Sequence, residues 1–166
     1  MVCNEKGYFE QEKLEALSSI CEQCAGAKLV LASEMRKTHA EKKKALAGLK
    51  HPMFGLEMAE PDATPTYGAG RTFAEDNWLN RPFEITQWFR TSKMEVSGWV
   101  AIDSHDLLHR AENGGTLEGH FVRTDPKEGL TGELADQVIE KLNRARVVPM
   151  GLLYLIDDLR AVAWQL

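Results

Sequence analysis

Apolar and polar positions divide the chain into three stretches. From about Tyr8 to Lys50 the residues are strong helix formers without proline, and Leu14, Leu17, Cys21, Cys24, Leu31 and Met35 recur at three-to-four spacing. Ile20, Ala27 and Val30 widen this row, and Lys28 interrupts it. Such a stripe predicts an amphipathic helix. The stripe thins after Glu34 and returns at Ala45, Leu46 and Leu49, before His51-Pro52 stops the pattern. The expectation is therefore one projecting helix over 8–50, or two helices folded as a hairpin with a break near Gly26.

Residues 51–82 carry Pro52, Pro61, Pro65 and Pro82 with Gly55, Gly68 and Gly70, which marks an irregular linker. Its centre, PDATPTYGAGR, is long for a connection inside a compact domain. From Phe83 onward the periodicity shortens. PFEITQWFR fits either a short helix opened by Pro82 or an alternating strand. MEVSGWVAI (94–102) and TLEGHFVRT (116–124) read as strands. SHDLLHRAENGG between them reads as a short helix, with Asp103 or Ser104 as its N-cap. LTGELADQVIEKLNRAR (130–146) is a helix capped by Thr131, with Leu134, Val138, Leu142 and Ala145 on one face. The tail fits two patterns, a helical stripe from Leu152 to Leu166 or a β-hairpin of LLYLI and LRAVAWQL turning at Asp157-Asp158; its aromatic and β-branched content favours the hairpin. The fold class expected is α+β: a long N-terminal helix or helical hairpin, then a small mixed or antiparallel sheet with two helices, in the order β-α-β-α-β-β. Segments 1–50, 51–82 and 83–166 are its divisions, within one domain or as a domain with a helical appendage.

Composition narrows the class. With 166 residues, 43% hydrophobic and 27% charged, the chain is globular and long enough to bury a core without disulfides. Three cysteines, Cys3, Cys21 and Cys24, are too few for a disulfide framework. The N-terminus lacks the apolar core of a secretory signal, and no apolar run approaches a membrane span, so the expected location is the cytoplasm. The net charge of −5 is uneven, because residues 1–50 hold nine Lys/Arg against seven Asp/Glu and the remainder eleven against eighteen.

Four features could carry chemistry. HDLLH differs by one methylene from the H-E-x-x-H zinc signature; His105 and His109 would be ligands, Asp106 the base, and His120 a third ligand from the next strand. The competing reading makes Asp106 a first-turn helix carboxylate beside two rim histidines. Cys21 and Cys24 form a C-x-x-C whose zinc set would need Cys3 and His39; on an apolar helical stripe they read instead as small buried hydrophobes. The basic run RKTHAEKKK, within 36–50, could follow phosphates but has no interleaved aromatics. Trp78, Arg81, Trp88 and Arg90 have the composition of a protein-binding surface, to which Lys42, Lys43 and Lys44 would add charge.

Together these features favour a small cytoplasmic protein-binding module, an inhibitor or regulator such as a phage or other mobile element would encode, with no catalytic residues and no cofactor. Its partner would be a protein, and a homodimer through the N-terminal helix is a further form. The alternatives are a metal-dependent hydrolase on His105 and His109 with zinc, and a nucleic-acid accessory protein using 36–50.

Overall fold

The computed structural model describes residues 10–24, 26–65, 77–96, 98–108, 117–145, 152–156 and 162–165. The long N-terminal helix is not formed. Helix α1 spans Gln11–Gln23 and buries Leu14, Leu17 and Ile20. The chain then turns at Gly26, where φ is +85°, a left-handed conformation that glycine adopts without strain. Strand β1 follows at Lys28–Ala32. Leu29, Val30, Leu31 and Ala32 are all fully buried. A surface helix buries one stripe, whereas four consecutive buried residues require a strand covered on both faces. The spacing of Leu31 and Met35 continued the row of α1 by coincidence.

Helix α2 occupies His39–Leu49, its N-terminus closed by Thr38, whose side chain accepts from the Glu41 backbone N–H. The Thr38 hydroxyl also donates to the Glu41 carboxylate at 2.6 Å, so the first turn is closed by residues three apart. Within the segment expected to be irregular, residues Met58–Ala63 form β2. It runs beside β1 in the same sense: Leu29 N–H donates to the Glu57 carbonyl and Thr64 N–H to the Leu31 carbonyl. PFEITQWFR resolves as helix α3, Arg81–Thr91, with Pro82 in its first turn, where the missing N–H costs nothing.

Strands β3 (Trp99–Asp103) and β4 (Phe121–Arg123) are shorter than their apolar patterns suggested, and they pair parallel rather than antiparallel. Residues 104–108 form turns rather than the expected start of a helix, and 109–116 lie outside the described residues. Helix α4, Gly132–Ala145, follows a turn in which Asp125 accepts from the backbone N–H groups of Lys127 and Glu128. Those two bonds hold the Asp125 carboxyl below its ordinary range. Thr131 caps α4 through the Leu134 N–H, and Ala135, Val138 and Leu142 face the core.

The tail forms β5 (Leu152–Ile156) and β6 (Val162–Gln165), paired antiparallel. The sheet order is β1-β6-β5-β3-β4, with β1 also bonded to β5. Strand β5 runs parallel to both β1 and β3, in a register that places Leu155 beside Leu31 and Ile102. Helices and strands are thus mixed, as expected; of the two sheets expected, mixed or antiparallel, the purely antiparallel one is not found, since β1, β3, β4 and β5 run parallel and β6 runs antiparallel to β1 and β5. The parallel strands β1, β3, β4 and β5 all end on one edge of the sheet, at Ala32, Asp103, Arg123 and Ile156. Among the described residues no helix is long and apolar enough to cross a membrane.

Trp88 is fully buried, and its indole N–H donates to the Pro61 carbonyl at 2.9 Å. It ties α3 to β2 and is a core residue, not part of an exposed partner surface. Replacing it with alanine is expected to lower stability by about 3–5 kcal/mol, measured by chemical denaturation, with the indole of the native protein shielded from aqueous quenchers.

Candidate functional site at the carboxyl edge of the parallel strands

In open sheets of parallel strands, ligands bind outside the carboxyl ends of the strands. Here that edge has a distinct composition. Each of the first four strands is followed at once by a buried residue with a hydroxyl group: Ser33 after β1, Thr64 after β2, Ser104 after β3 and Thr124 after β4. The apolar runs place these hydroxyls by ending where they do. Ser33 accepts from the Met35 N–H. Among the described residues the hydroxyls of Thr64 and Thr124 have no hydrogen-bond partner, although both are buried.

Charge is concentrated at the same edge. Helix α3 presents Arg81 and Glu84, three residues apart and therefore on one face. Arg81 Nη1 lies 2.9 Å from Asp103 Oδ2, with both side chains essentially inaccessible to water. Glu84 forms a second buried ion pair with Arg36, from the turn after β1. Arg36 also donates to the Ala32 and Ser33 carbonyls, capping the end of β1. The beginning of α3 is thereby tied to the ends of both β1 and β3.

Asp103 is the focus of the β3 end. Its Oδ2 takes Arg81, while its Oδ1 accepts the His105 backbone N–H at 2.9 Å and lies 3.3 Å from His105 Nδ1. The imidazole is stacked on Trp78 with ring centres 5.1 Å apart and 19° between planes. Its side chain is 33% exposed, whereas that of Asp103 is fully enclosed. Arg123, at the end of β4, donates from Nε to the Ser104 carbonyl and has Nη1 3.8 Å from Asp106. A buried carboxylate thus holds one guanidinium and lies beside one partly exposed imidazole, at the edge where the buried hydroxyl residues follow the strands. Such a set can bind an anion and move a proton.

The residues expected to form a zinc site are not brought together. His105 follows β3, while His120 precedes β4 and stacks on Trp99 at the other end of the paired strands. At strand rise the two are on the order of 10 Å or more apart. His109 lies outside the described residues. Asp106 accepts from the Leu108 N–H, a local turn bond. Among the described residues no group of three or more His, Cys, Asp or Glu is placed to hold a metal ion.

Of the residues proposed for partner binding, Arg81 is enclosed in its ion pair and Trp78 packs on His105, while Arg90 is exposed. Lys42 pairs with Asp62 at 2.7 Å, and Lys43 and Lys44 lie exposed on α2. Cys21 sits at the end of α1 beside Cys24, which is buried. Burial, and then the neighbouring Cys24, push the Cys21 thiol far above its ordinary range. His39 opens α2, which follows β1 in the chain, and Cys3 is outside the described residues.

Sequence reasoning passed over Ser33, Thr64, Glu84 and Thr124, gave Asp103 and Ser104 only the role of an N-cap, and placed Arg36 only in the basic run. The available signal was the hydroxyl residue that ends each apolar run: KLVLA-Ser33, WVAID-Ser104, FVR-Thr124. The charged residues gave no such signal, because their partners lie far away in sequence.

The family comparison falls on these residues. Residues 2–135 match the model of the HAD domain in Swiss Army Knife RNA repair proteins, and the chain belongs to that family. The match includes α1 to β4 and every residue of the charged edge just described. No curated protein and no solved structure matches the chain. Family membership overturns the expectation of a non-catalytic inhibitor, regulator or phage-like accessory protein, since a HAD domain points to hydrolytic enzymes. Neither alternative is matched: not a metal hydrolase centred on HDLLH, and not an accessory protein acting through the basic stretch 36–50.

Two outcomes are expected from this geometry. Glu84→Gln removes one charge of the buried Arg36–Glu84 pair and should cost about 3–5 kcal/mol in denaturant melts. Replacing both partners with methionine should recover most of that loss. Separately, Cys21 should resist alkylation in the native protein at pH 8 and react once the chain is unfolded, as read by peptide mapping.

Proposed function

We propose that this HAD domain is a hydrolase of RNA repair that removes phosphate from the ends of broken RNA strands. Joining broken strands requires ends whose phosphates have been put in order, so a hydrolase with that task cleaves a phosphate monoester on a ribose hydroxyl. One observation carries the reading: the buried hydroxyl and charged groups converge at the carboxyl edge, inside the family-matched residues.

The roles follow from the contacts. Arg81 supplies positive charge next to the edge while its pairing with Asp103 fixes its direction. Thr124 has a buried hydroxyl with no partner among the described residues. Such a group gains most from an incoming acceptor, because its desolvation has already been met by folding. It donates to a phosphate oxygen. Donors fixed in advance cost no reorganisation when charge develops on the transferring group.

The test is release of inorganic phosphate from RNA oligonucleotides carrying a 3′ or a 5′ terminal phosphate. The wild-type chain is expected to release phosphate from at least one of them. Thr124→Val keeps the side-chain shape and should lower kcat/KM about tenfold or more, the worth of one hydrogen bond to a charged group. No release from either RNA, or from p-nitrophenyl phosphate, would remove the hydrolase reading.

A further inference from the structure

We infer that Arg123 makes this site read its substrate as a strand, by holding the phosphodiester that adjoins the nucleotide bearing the terminal phosphate. The inference rests on the hydrolase reading above and adds to it what the site accepts: the end of an oligonucleotide in preference to a free mononucleotide.

Arg123 is the last residue of β4, and the parallel register sets it beside Asp103. Adjacent strands stand about 4.8 Å apart, so its backbone is one strand spacing from that of the residue that holds Arg81. The next residue, Thr124, donates its N–H to the Asp103 carbonyl at 2.8 Å. Thr124 and Arg81 are enclosed, whereas the Arg123 side chain is 58% exposed. The edge thus has an enclosed part and an open part, and Arg123 stands in the open one.

The guanidinium has a fixed direction. Nε donates to the Ser104 carbonyl at 3.2 Å, which anchors one side of the fork. Nη1 lies 3.8 Å from Asp106 Oδ2, beyond hydrogen-bond reach, and the other oxygen of that carboxylate accepts the Leu108 N–H. An ion pair between two such exposed groups contributes little. Two phosphate oxygens accept parallel N–H bonds from a guanidinium, so a phosphodiester takes the place of Asp106 at small cost. The other acid near this strand end, Asp125, is committed to the N–H groups of Lys127 and Glu128.

The anion that Arg123 meets is not the one to be hydrolysed. The terminal phosphate goes to the enclosed groups, Arg81 and Thr124. In a strand the next phosphate is one ribose away, and Arg123 and Thr124 are consecutive residues. A mononucleotide has no second phosphate to offer, and Arg123 then adds nothing to its binding.

The experiment measures kcat/KM on a trinucleotide with a terminal phosphate, on the nucleoside monophosphate of the same end, and on p-nitrophenyl phosphate. Wild type should favour the trinucleotide over the mononucleotide about tenfold, the lower worth of a hydrogen bond to a charged group. Arg123→Gln should remove most of that ratio. It should also make the fall of trinucleotide kcat/KM with salt shallower by about 0.7 on logarithmic axes, the share of one single-strand phosphate. Arg123→Lys loses the bond to Ser104 but keeps the charge, and should restore the salt dependence. An unchanged ratio in Arg123→Gln, a wild type indifferent to chain length, or a lysine variant equal to the glutamine variant would overturn the assignment while leaving the hydrolase in place. Wild-type inactivity on all three substrates would overturn the hydrolase reading, and this assignment with it. Thermal melts of each variant establish that the compared proteins are folded.

Discussion

The two ion pairs made by α3 are the constraint on which the arrangement depends. Arg81 binds Asp103 and Glu84 binds Arg36, and all four side chains are almost wholly removed from water. Isolated burial of any one of these charges would cost several kcal/mol. Sliding or rotating the helix would break both of these buried pairs. Because the partners stand at the ends of β3 and β1, the same bonds that lock the helix also define the carboxyl edge. Apolar packing could hold α3 against the sheet with several orientations of similar energy; paired charges permit one.

That edge combines two demands that usually compete. A core strand needs continuous apolar burial, and β1 and β3 meet this with Leu29–Ala32 and Val100–Ile102. A reaction centre needs polar groups at fixed positions. The chain satisfies both by switching from apolar to polar at one residue per strand. Asp103 and Ser104 follow Ile102 directly, and Ser33 follows Ala32. Their backbone positions are set by the ladder, so their side chains are placed by the core itself. The partly exposed ring of His105 and the enclosed carboxylate of Asp103 stand two residues apart at this edge.

Some of this was legible in the sequence. The amphipathic helix over 130–146 appeared as α4, because its apolar residues keep the helical period and Thr131 can cap it. The apolar runs around Trp99–Ile102 and Phe121–Val122 were recognised as strands. The first fifty residues misled, since α1 and β1 are joined so closely that their apolar residues continue one helical row. A run of four buried residues and a helical stripe share enough positions to be confused when only periodicity is considered. The HDLLH pair drew attention to the right place for a different reason: His105 belongs to the edge through Asp103, which precedes the motif, and not through His109.

The sequence by itself determined the mixed helix and strand content and the burial of Cys24 as a small apolar group. Those properties depend on composition and local periodicity, which neighbouring residues carry. Only the tertiary structure decided that the strands run parallel, that Trp88 and Arg81 lie inside, and that Arg36 meets Glu84 and Arg81 meets Asp103. These pairings join residues 48 and 22 positions apart. A charge in a sequence has no visible partner; its partner is chosen by the packing that removes both from water, where each must find the other.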